Sequence, residues 1–226
     1  MIVSPSRAYV FVHIPKTGGT AMALALEARA RPDDLLIGDT PKALRRRHRL
    51  KALAPAGRLW KHATLADIDG ILTPADLDRM LVFTLVRNPW DRLLSYWAWA
   101  RAQDFGHPAV ALAKAKGFSA FLNDPMTQGA LAANPVARYL TDATGTERPA
   151  LCLRIERIEE EMAPLAAHLG FRPRLPRANE SARPRDWRPS YTEADAALVA
   201  RLCAPDIARF GYRFDDYAAL AARPSP

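Results

Sequence analysis

Runs of apolar residues predict three buried β-strands, at residues 9–14, 80–86 and 150–155. The second run, M-L-V-F-T-L-V, is rich in β-branched residues and is typical of a strand buried on both faces of a parallel sheet. A short strand is also predicted at residues 35–37. Helical stretches separate and follow the strands, so the chain is predicted to be an α/β protein. The predicted helices cover residues 21–30, 41–51, 65–71, 108–115, 118–123, 129–140, 156–169, 192–203 and 205–210, and two more begin at Pro74 and Pro89.

A glycine-containing turn follows the first strand. Pro15 ends the strand because proline cannot donate to a sheet ladder, and the helix over residues 21–30 comes directly after the turn. Between them stand Lys16, Thr17, Gly18, Gly19 and Thr20. Glycines let backbone N–H groups approach an anion, and a helix start adds positive potential. The turn is not a Walker A loop, since its lysine precedes the glycines. We therefore predict a P-loop-NTPase-like sheet whose ligand is not ATP; the alternative is a tight turn with a surface lysine.

A second candidate anion site follows the second strand, in R-N-P-W-D-R-L-L-S. Arg87 lies where the strand ends, and Arg92 and Ser95 are three residues apart on one face of the next helix. Two arginines and a hydroxyl are well suited to a phosphate. The alternative is a surface salt-bridge cluster with Asp91.

A histidine supplies a candidate general base. Leu59 and Trp60 are predicted to end a strand, and His62 follows them, just before the predicted helix cap Thr64. A histidine in such a position can face a cleft and accept a proton near neutral pH. A purely structural histidine is the alternative.

Two segments are strongly basic. The predicted helix at 41–51 carries a basic face that can attract an acidic acceptor or can simply be solvated. Residues 172–190 form a proline- and arginine-rich loop, which we predict to be a lid on the anion site rather than a mobile tail. The residues between 104 and 150 are predicted to form a helical insert that could cover a substrate. The basic face consists of Lys42, Arg45, Arg46, Arg47, Arg49 and Lys51.

Composition narrows the class of protein. A chain of 226 residues with 49% hydrophobic residues predicts one domain, residues 1–226, with a substantial core. The net charge of +8 favours anionic ligands. The cysteines Cys152 and Cys203 stand alone, which predicts a reducing compartment and no metal site. With no apolar segment long enough to span a membrane and no evident signal peptide, a cytoplasmic protein is expected.

Together, the two anion-binding turns resemble those of sulfotransferases that use 3′-phosphoadenosine 5′-phosphosulfate (PAPS). The resemblance is to the carbohydrate branch, which includes the uronyl 2-O-sulfotransferases and bacterial relatives. Weaker marks run through most of the chain: W-K-H-A-T, L-R-I-E-R-I, N-E-S and A-P-D-I-A-R-F-G-Y. The resemblance implies a sulfotransferase that needs no metal, releases 3′-phosphoadenosine 5′-phosphate (PAP), and sulfates a hydroxyl of a carbohydrate or glycolipid.

The resemblance also implies roles for individual residues. Lys16 and the backbone of Thr17, Gly18, Gly19 and Thr20 would bind the 5′-phosphosulfate, and Arg87 and Ser95, with Arg92, the 3′-phosphate. His62 matches a catalytic base, although other members use a glutamate. Asn179 and Ser181 resemble a segment that closes over the nucleotide. Two alternatives stay open: a P-loop nucleotide kinase, and a non-catalytic protein that binds polyanions. No nucleic-acid partner is expected, and the sequence does not predict an oligomeric state.

Overall fold

The structure is a computed structural model, which describes residues 1–176 and 183–216. Asn179 and Ser181, which the sequence predicts to close over the nucleotide, lie outside the described residues. The described chain divides into two compact units. Among the described residues, the sheet unit comprises residues 1–86 and 136–176, and the helical unit comprises residues 87–135 and 183–216. The single domain that the sequence predicts over residues 1–226 stays a prediction.

The sheet unit contains a five-stranded sheet, with strands in the order β3-β1-β2-β4-β5. Strands β2, β4 and β5 run parallel, in the register Val10 opposite Val82 and Thr84 opposite Cys152. The α/β prediction is therefore confirmed. The described strands are β1 (Ile2–Ser4), β2 (Tyr9–Val12), β3 (Leu35–Leu36), β4 (Leu81–Val86) and β5 (Leu151–Arg154).

One strand departs from the predicted parallel sheet. Strand β1 was not predicted, and it pairs antiparallel with both β2 and β3. A single 3₁₀ turn, Pro5–Arg7, connects β1 to β2, and Ala8 follows it with a φ of 49°. Such a short connection can join only antiparallel neighbours, because a parallel pair needs a crossover of a dozen residues or more.

Helices account for most of the remaining elements. The helical insert predicted between residues 104 and 150 is confirmed, as four of the described helices lie in that range. The described helices are α1 (Gly19–Glu27), α2 (Pro41–Arg46), α3 (Pro74–Asp78), α4 (Pro89–Arg101), α5 (Pro108–Ala115), α6 (Phe118–Leu122), α7 (Pro125–Ala132), α8 (Val136–Leu140), α9 (Ile158–Glu161), α10 (Ala163–Leu169), α11 (Glu193–Leu202) and α12 (Ala204–Phe210).

Several predicted bounds were wrong. The helix predicted at 129–140 is two helices, separated beside Pro135, and the helix predicted at 156–169 is interrupted at Met162, two residues before Pro164. Proline lacks the N–H that a helix interior needs, so it favours a break. The helix predicted at 41–51 ends at Arg46 and continues as the 3₁₀ helix Arg47–Leu50.

Each unit has its own apolar core. In the sheet unit, the ring of Phe83 on β4 stacks on Phe11 of β2, with ring centres 5.1 Å apart, and α1 adds Met22 and Leu26. In the helical unit, Phe121 is buried with Ala100 and Ala113, and Tyr96 packs on them. Strand β2 thus runs through the core of the sheet unit, and the first predicted site begins where β2 ends.

Candidate active site

The turn between β2 and α1 has an unusual backbone. Lys16 has a φ of 65° and Gly18 has a φ of 88°, so two of three consecutive residues are left-handed. The hydroxyl of Thr17 is buried and donates to the carbonyl oxygen of Ile14 at 2.9 Å, which closes the turn on itself. A non-glycine residue in this conformation is strained, and such strain is concentrated at functional sites. The turn thus has the backbone expected of an anion-binding loop at the start of a helix.

Glycine at position 19 is required by a neighbouring side chain. A Cβ atom there would lie 2.0 Å from Cδ2 of His13 and 2.4 Å from its Nε2. His13 is the residue after β2, and its side chain is buried, with 6% of the residue exposed. The imidazole therefore packs directly against the first residue of α1. Because of this contact, the loop and the histidine belong to one site.

His13 in turn holds His62. The Nδ1 atom of His62 lies 2.7 Å from the carbonyl oxygen of His13, and the two rings meet edge to face with centres 4.6 Å apart. A carbonyl oxygen only accepts, so Nδ1 must carry the proton. The lone pair is then on Nε2, which makes no hydrogen bond among the described residues. This is the tautomer that a general base requires.

Both histidines are kept neutral. Burial lowers the pKa of His62 to about 4, against the opposing effect of its hydrogen bond to His13. Burial also lowers the pKa of His13 well below its usual value, and positive groups that include Lys61 and Lys16 add to the effect. At neutral pH both imidazole rings are therefore uncharged, and each has one unprotonated nitrogen.

A small recess lies beside His13 in the sheet unit, with Thr20 of the loop in its wall. Two carboxyl groups line it. Glu27 accepts a hydrogen bond from the hydroxyl of Thr40 at 2.7 Å, and burial raises the pKa of Glu27. Asp39 pairs with Lys61 at 2.6 Å. Both carboxyl groups of the recess are therefore already engaged within the protein.

The second predicted site lies at the start of α4, in the helical unit. Asn88 caps the helix by accepting from the backbone N–H of Trp90 at 3.1 Å. Arg87 directs both Nε and Nη2 at Oδ2 of Asp91, each at 2.7 Å. Ser95 is buried one turn further on. The salt bridge with Asp91 that the sequence offered as an alternative is present, but its side chains are largely shielded from solvent, so it is not a surface pair.

The described end of the loop at 172–190 reaches the same carboxylate. Nη2 of Arg183 lies 2.5 Å from Oδ1 of Asp91, and its side chain is only 11% exposed. Trp187 is almost fully buried and donates from its indole to the carbonyl of Phe214 at 3.1 Å. The hydroxyl of Tyr191 donates to the carbonyl of Trp90 at 2.7 Å. These contacts fix the loop against the first turn of α4.

The predicted site residues therefore fall into two groups. Lys16, Thr17, Gly18, Gly19, Thr20 and His62 lie in the sheet unit, where His13 links the loop to His62. Arg87, Arg92 and Ser95 lie on or next to α4 in the helical unit. One expectation was wrong, since His62 does not follow a strand. Trp60 is 42% exposed in a bend, where Arg58 lies over its ring.

Sequence reasoning missed three residues of these sites. His13 could have been noticed as the polar position inside an otherwise apolar run, directly before the loop. Asp91 was considered only as a salt-bridge partner. Arg183 carried no signal that separates it from the other arginines of its loop.

Two features are absent from the part of the chain that the structure describes. No cluster of three or more histidine, cysteine, aspartate or glutamate side chains there is arranged to hold a metal ion. None of its helices has the length and apolar character needed to cross a membrane.

Comparison with known proteins identifies the family. A family model described as the sulfotransferase family matches residues 1–215. The crystal structure of mouse sulfotransferase SULT7A1 complexed with PAP is similar over 94% of this chain and 89% of its own, with 13% identity and a TM-score of 0.49. No curated protein sequence matches the chain. The family match sets aside the kinase and the non-catalytic alternatives. The chain belongs to the sulfotransferase family and is, as its sequence predicted, a PAPS-dependent enzyme that transfers a sulfuryl group.

Proposed function

We propose that this sulfotransferase moves the sulfuryl group of PAPS to a hydroxyl of a carbohydrate or glycolipid, with His62 as the general base. The observation that carries the proposal is the contact of His62 with His13, because it ties a neutral imidazole to the loop. His13 in turn packs on Gly19 at the start of α1.

Lys16 and the loop would bind the 5′-phosphosulfate. The backbone of residues 17–20 leads into α1, whose N-terminal N–H groups favour an anion. During transfer, negative charge builds on the departing phosphate oxygen. The Lys16 ammonium and the loop amides would stabilise that charge, and one such donor typically contributes about 3–4 kcal/mol.

His62 would take the proton of the acceptor. The acceptor oxygen attacks sulfur, a new O–S bond forms, and the bond between sulfur and the phosphate oxygen breaks. The hydroxyl proton moves to Nε2 of His62, and PAP leaves with the electron pair of the broken bond. The depressed pKa leaves Nε2 free to accept, and a bound anionic donor would raise the basicity of the imidazole toward the range in which general bases work.

Arg87, Ser95 and Arg92 would bind the 3′-phosphate of the nucleotide. Guanidinium groups bind phosphate through paired, charge-assisted hydrogen bonds, and the buried Ser95 hydroxyl adds a further donor. A nucleotide without that phosphate would lose these charge-assisted contacts, so the site would discriminate against it.

A carbohydrate or glycolipid acceptor is supported by the resemblance of the two turns, in sequence, to those of carbohydrate sulfotransferases. A cytoplasmic location is also proposed, from the isolated cysteines of the sequence alone.

An acceptor screen with labelled PAPS tests the proposal. We expect label in a polysaccharide or glycolipid with the wild-type enzyme and none with Lys16→Ala. Transfer only to peptide tyrosine or to a small metabolite would contradict the acceptor class. The nucleotide site is tested by titrating Arg87→Ala with PAP and with adenosine 5′-phosphate, which lacks the 3′-phosphate. Equal losses for both ligands would contradict the role of Arg87.

A further inference from the structure

The net positive charge of the protein is concentrated in one stretch of the sheet unit, residues 40–66. This stretch contains eight lysine and arginine residues and no aspartate or glutamate. The whole chain has 32 basic and 24 acidic residues, so the remainder has 24 of each and no net charge. The net charge of +8 therefore belongs entirely to residues 40–66.

Four of the eight cations are engaged within the sheet unit. Lys42, Arg46 and Arg49 donate to backbone carbonyl oxygens of residues 27–32. A carbonyl oxygen satisfies a donor but does not cancel its charge. Lys61 pairs with Asp39 at 2.6 Å. These contacts fasten both ends of the stretch and neutralise only one of its charges.

The other four cations are exposed, and none of them forms a salt bridge within the part of the chain that the structure describes. A run of exposed charge is by itself no more than a solvated face. A partner is indicated only if a second property of the same surface points to one. The four exposed cations are Arg45, Arg47, Lys51 and Arg58.

That second property is a pair of large apolar side chains exposed among the cations. Leu44 is 52% exposed in α2, although the adjacent Ala43 is buried, and Trp60 is 42% exposed. The guanidinium group of Arg58 lies over the indole of Trp60, 5.4 Å from the ring centre. Leucine and tryptophan between cations are typical of a surface that lies where water meets hydrocarbon.

The two parts of the stretch are neighbours in the fold. A Cβ atom on Gly38 would lie 4.0 Å from Cβ of Ala43 in α2 and 3.9 Å from Cβ of Lys61, which follows Trp60. The exposed residues therefore belong to adjoining parts of the sheet unit, and we call them the docking surface. It consists of Leu44, Arg45, Arg47, Lys51, Arg58 and Trp60.

We propose that the docking surface binds the headgroup region of a bilayer that contains anionic lipid. Clusters of about four to eight lysine and arginine residues are attracted to such a bilayer, and apolar side chains among them add affinity by entering its interface. A soluble polyanion complements the cations but offers no apolar medium to Leu44. A bilayer complements both, and the proposal concerns where the enzyme binds rather than what it sulfates.

The test is co-sedimentation of the protein with lipid vesicles. Wild type should bind vesicles of phosphatidylglycerol and phosphatidylcholine in a ratio of about 3:7, should not bind phosphatidylcholine alone, and should be released by salt. The charge variant Arg45→Ala/Arg47→Ala/Lys51→Ala should bind at least about tenfold more weakly, because each cation near an anionic surface contributes about fivefold. Its affinity for PAP should stay unchanged, which shows that it is folded.

A matched control removes the same charge elsewhere. Arg79→Ala/Lys114→Ala/Arg172→Ala loses three exposed cations that pair with carboxylates, so it has the same net charge as the charge variant. It should bind the anionic vesicles within about threefold of wild type. Equal losses in the two triple variants would show that overall charge explains the binding, and would overturn the proposal.

Leu44→Ala separates a bilayer from a soluble polyanion. It should bind the anionic vesicles about fivefold more weakly than wild type, because less apolar surface enters the interface. It should bind dextran sulfate, a polyanion without an apolar interior, as wild type does. Unchanged binding of Leu44→Ala to both probes would assign the surface to polyanions and overturn the choice of a bilayer.

Two further results are decisive. Failure of wild type to bind the anionic vesicles at low salt overturns the proposal outright. If the charge variant does not fold, Arg45→Glu decides in its place, and vesicle binding within about twofold of wild type would refute the docking surface. None of these measurements involves PAPS or an acceptor, so their failure would leave the proposed transfer reaction unaffected.

Discussion

The Nδ1 atom of His62 lies 2.7 Å from the carbonyl oxygen of His13, although 49 residues separate them in the chain. The contact assigns the proton of His62 to Nδ1 and leaves Nε2 as an acceptor. The imidazole of His13 meanwhile packs on Gly19. The residue that follows β2 therefore orients the candidate base and packs on the candidate anion-binding loop.

Replacing His62 by alanine should lower the rate of transfer by about 10²–10⁴, the usual contribution of a general base, and leave PAP affinity nearly unchanged. Steady-state kinetics and PAP titration check both parts. His48→Ala is the matched control, since His48 is exposed and its Nδ1 lies 3.2 Å from the backbone carbonyl oxygen of Arg45. A nearly normal rate in His62→Ala would assign the base elsewhere, and His13→Asn would then show whether His13 supplies it.

Two substitutions of Lys16 should separate its charge from its backbone. Lys16→Ala and Lys16→Gly should both abolish transfer, because both remove the ammonium group. Only glycine relieves the left-handed backbone, so Lys16→Gly should be as stable as wild type or up to about 1 kcal/mol more stable in urea unfolding. Lys114→Ala, at an exposed ion pair, is the control. Measurable turnover by Lys16→Gly would disprove the role of the ammonium.

Adding one methyl group to Gly19 should damage the site. The new Cβ would meet the buried ring of His13 at 2.0 Å, so we expect Gly19→Ala to lose about 1–3 kcal/mol of unfolding free energy, together with most of its activity. Gly129→Ala in α7 meets nothing within 4 Å and should gain about 0.5–1 kcal/mol instead. Wild-type activity in Gly19→Ala would contradict the close packing of His13 on the loop.

The free energy of unfolding should fall as the pH is lowered from 6.5 to about 4, because of the buried imidazole of His62. The pKa of His62 is about 4 in the folded protein and 6.5 in the unfolded chain. Between these values only the unfolded chain binds the proton, so the free energy of unfolding falls by up to about 1.4 kcal/mol per pH unit for this group. The pKa of Asp142 is lowered to about 2, so its own contribution is lost only below about pH 4.

Urea unfolding of wild type and His62→Asn at pH 7, 6 and 5 isolates this contribution. The variant should show the shallower dependence on pH, because His13 and the carboxylates remain in both proteins. Parallel curves for the two proteins would show that His62 is not held neutral by the fold.

The sequence predicted the parts of each candidate site that depend on the succession of strand, turn and helix along the chain. Lys16 to Thr20 follow a strand and precede a helix, and Arg87 precedes a proline-started helix, so spacing alone indicates anion binding. The contact between His62 and His13 depends on tertiary structure, which no periodicity reveals. The same holds for Arg183, since nothing local distinguishes it from Arg185. Strand β1 was missed because its three residues are too few to show a hydrophobic pattern. The strand end at Leu59 and Trp60 was wrongly predicted because it was inferred from two apolar residues alone.

Thr84 lies within β4, and its buried hydroxyl donates to the carbonyl oxygen of Val12, the last residue of β2. The last carbonyl group of a strand can lack a partner in the sheet ladder. A hydroxyl group on the adjacent strand can then donate the hydrogen bond that this carbonyl needs. Valine has the same shape as threonine but cannot do this. The Thr84 hydroxyl therefore holds the last residue of β2, four residues before Lys16, although Thr84 comes 68 positions after that lysine in the chain.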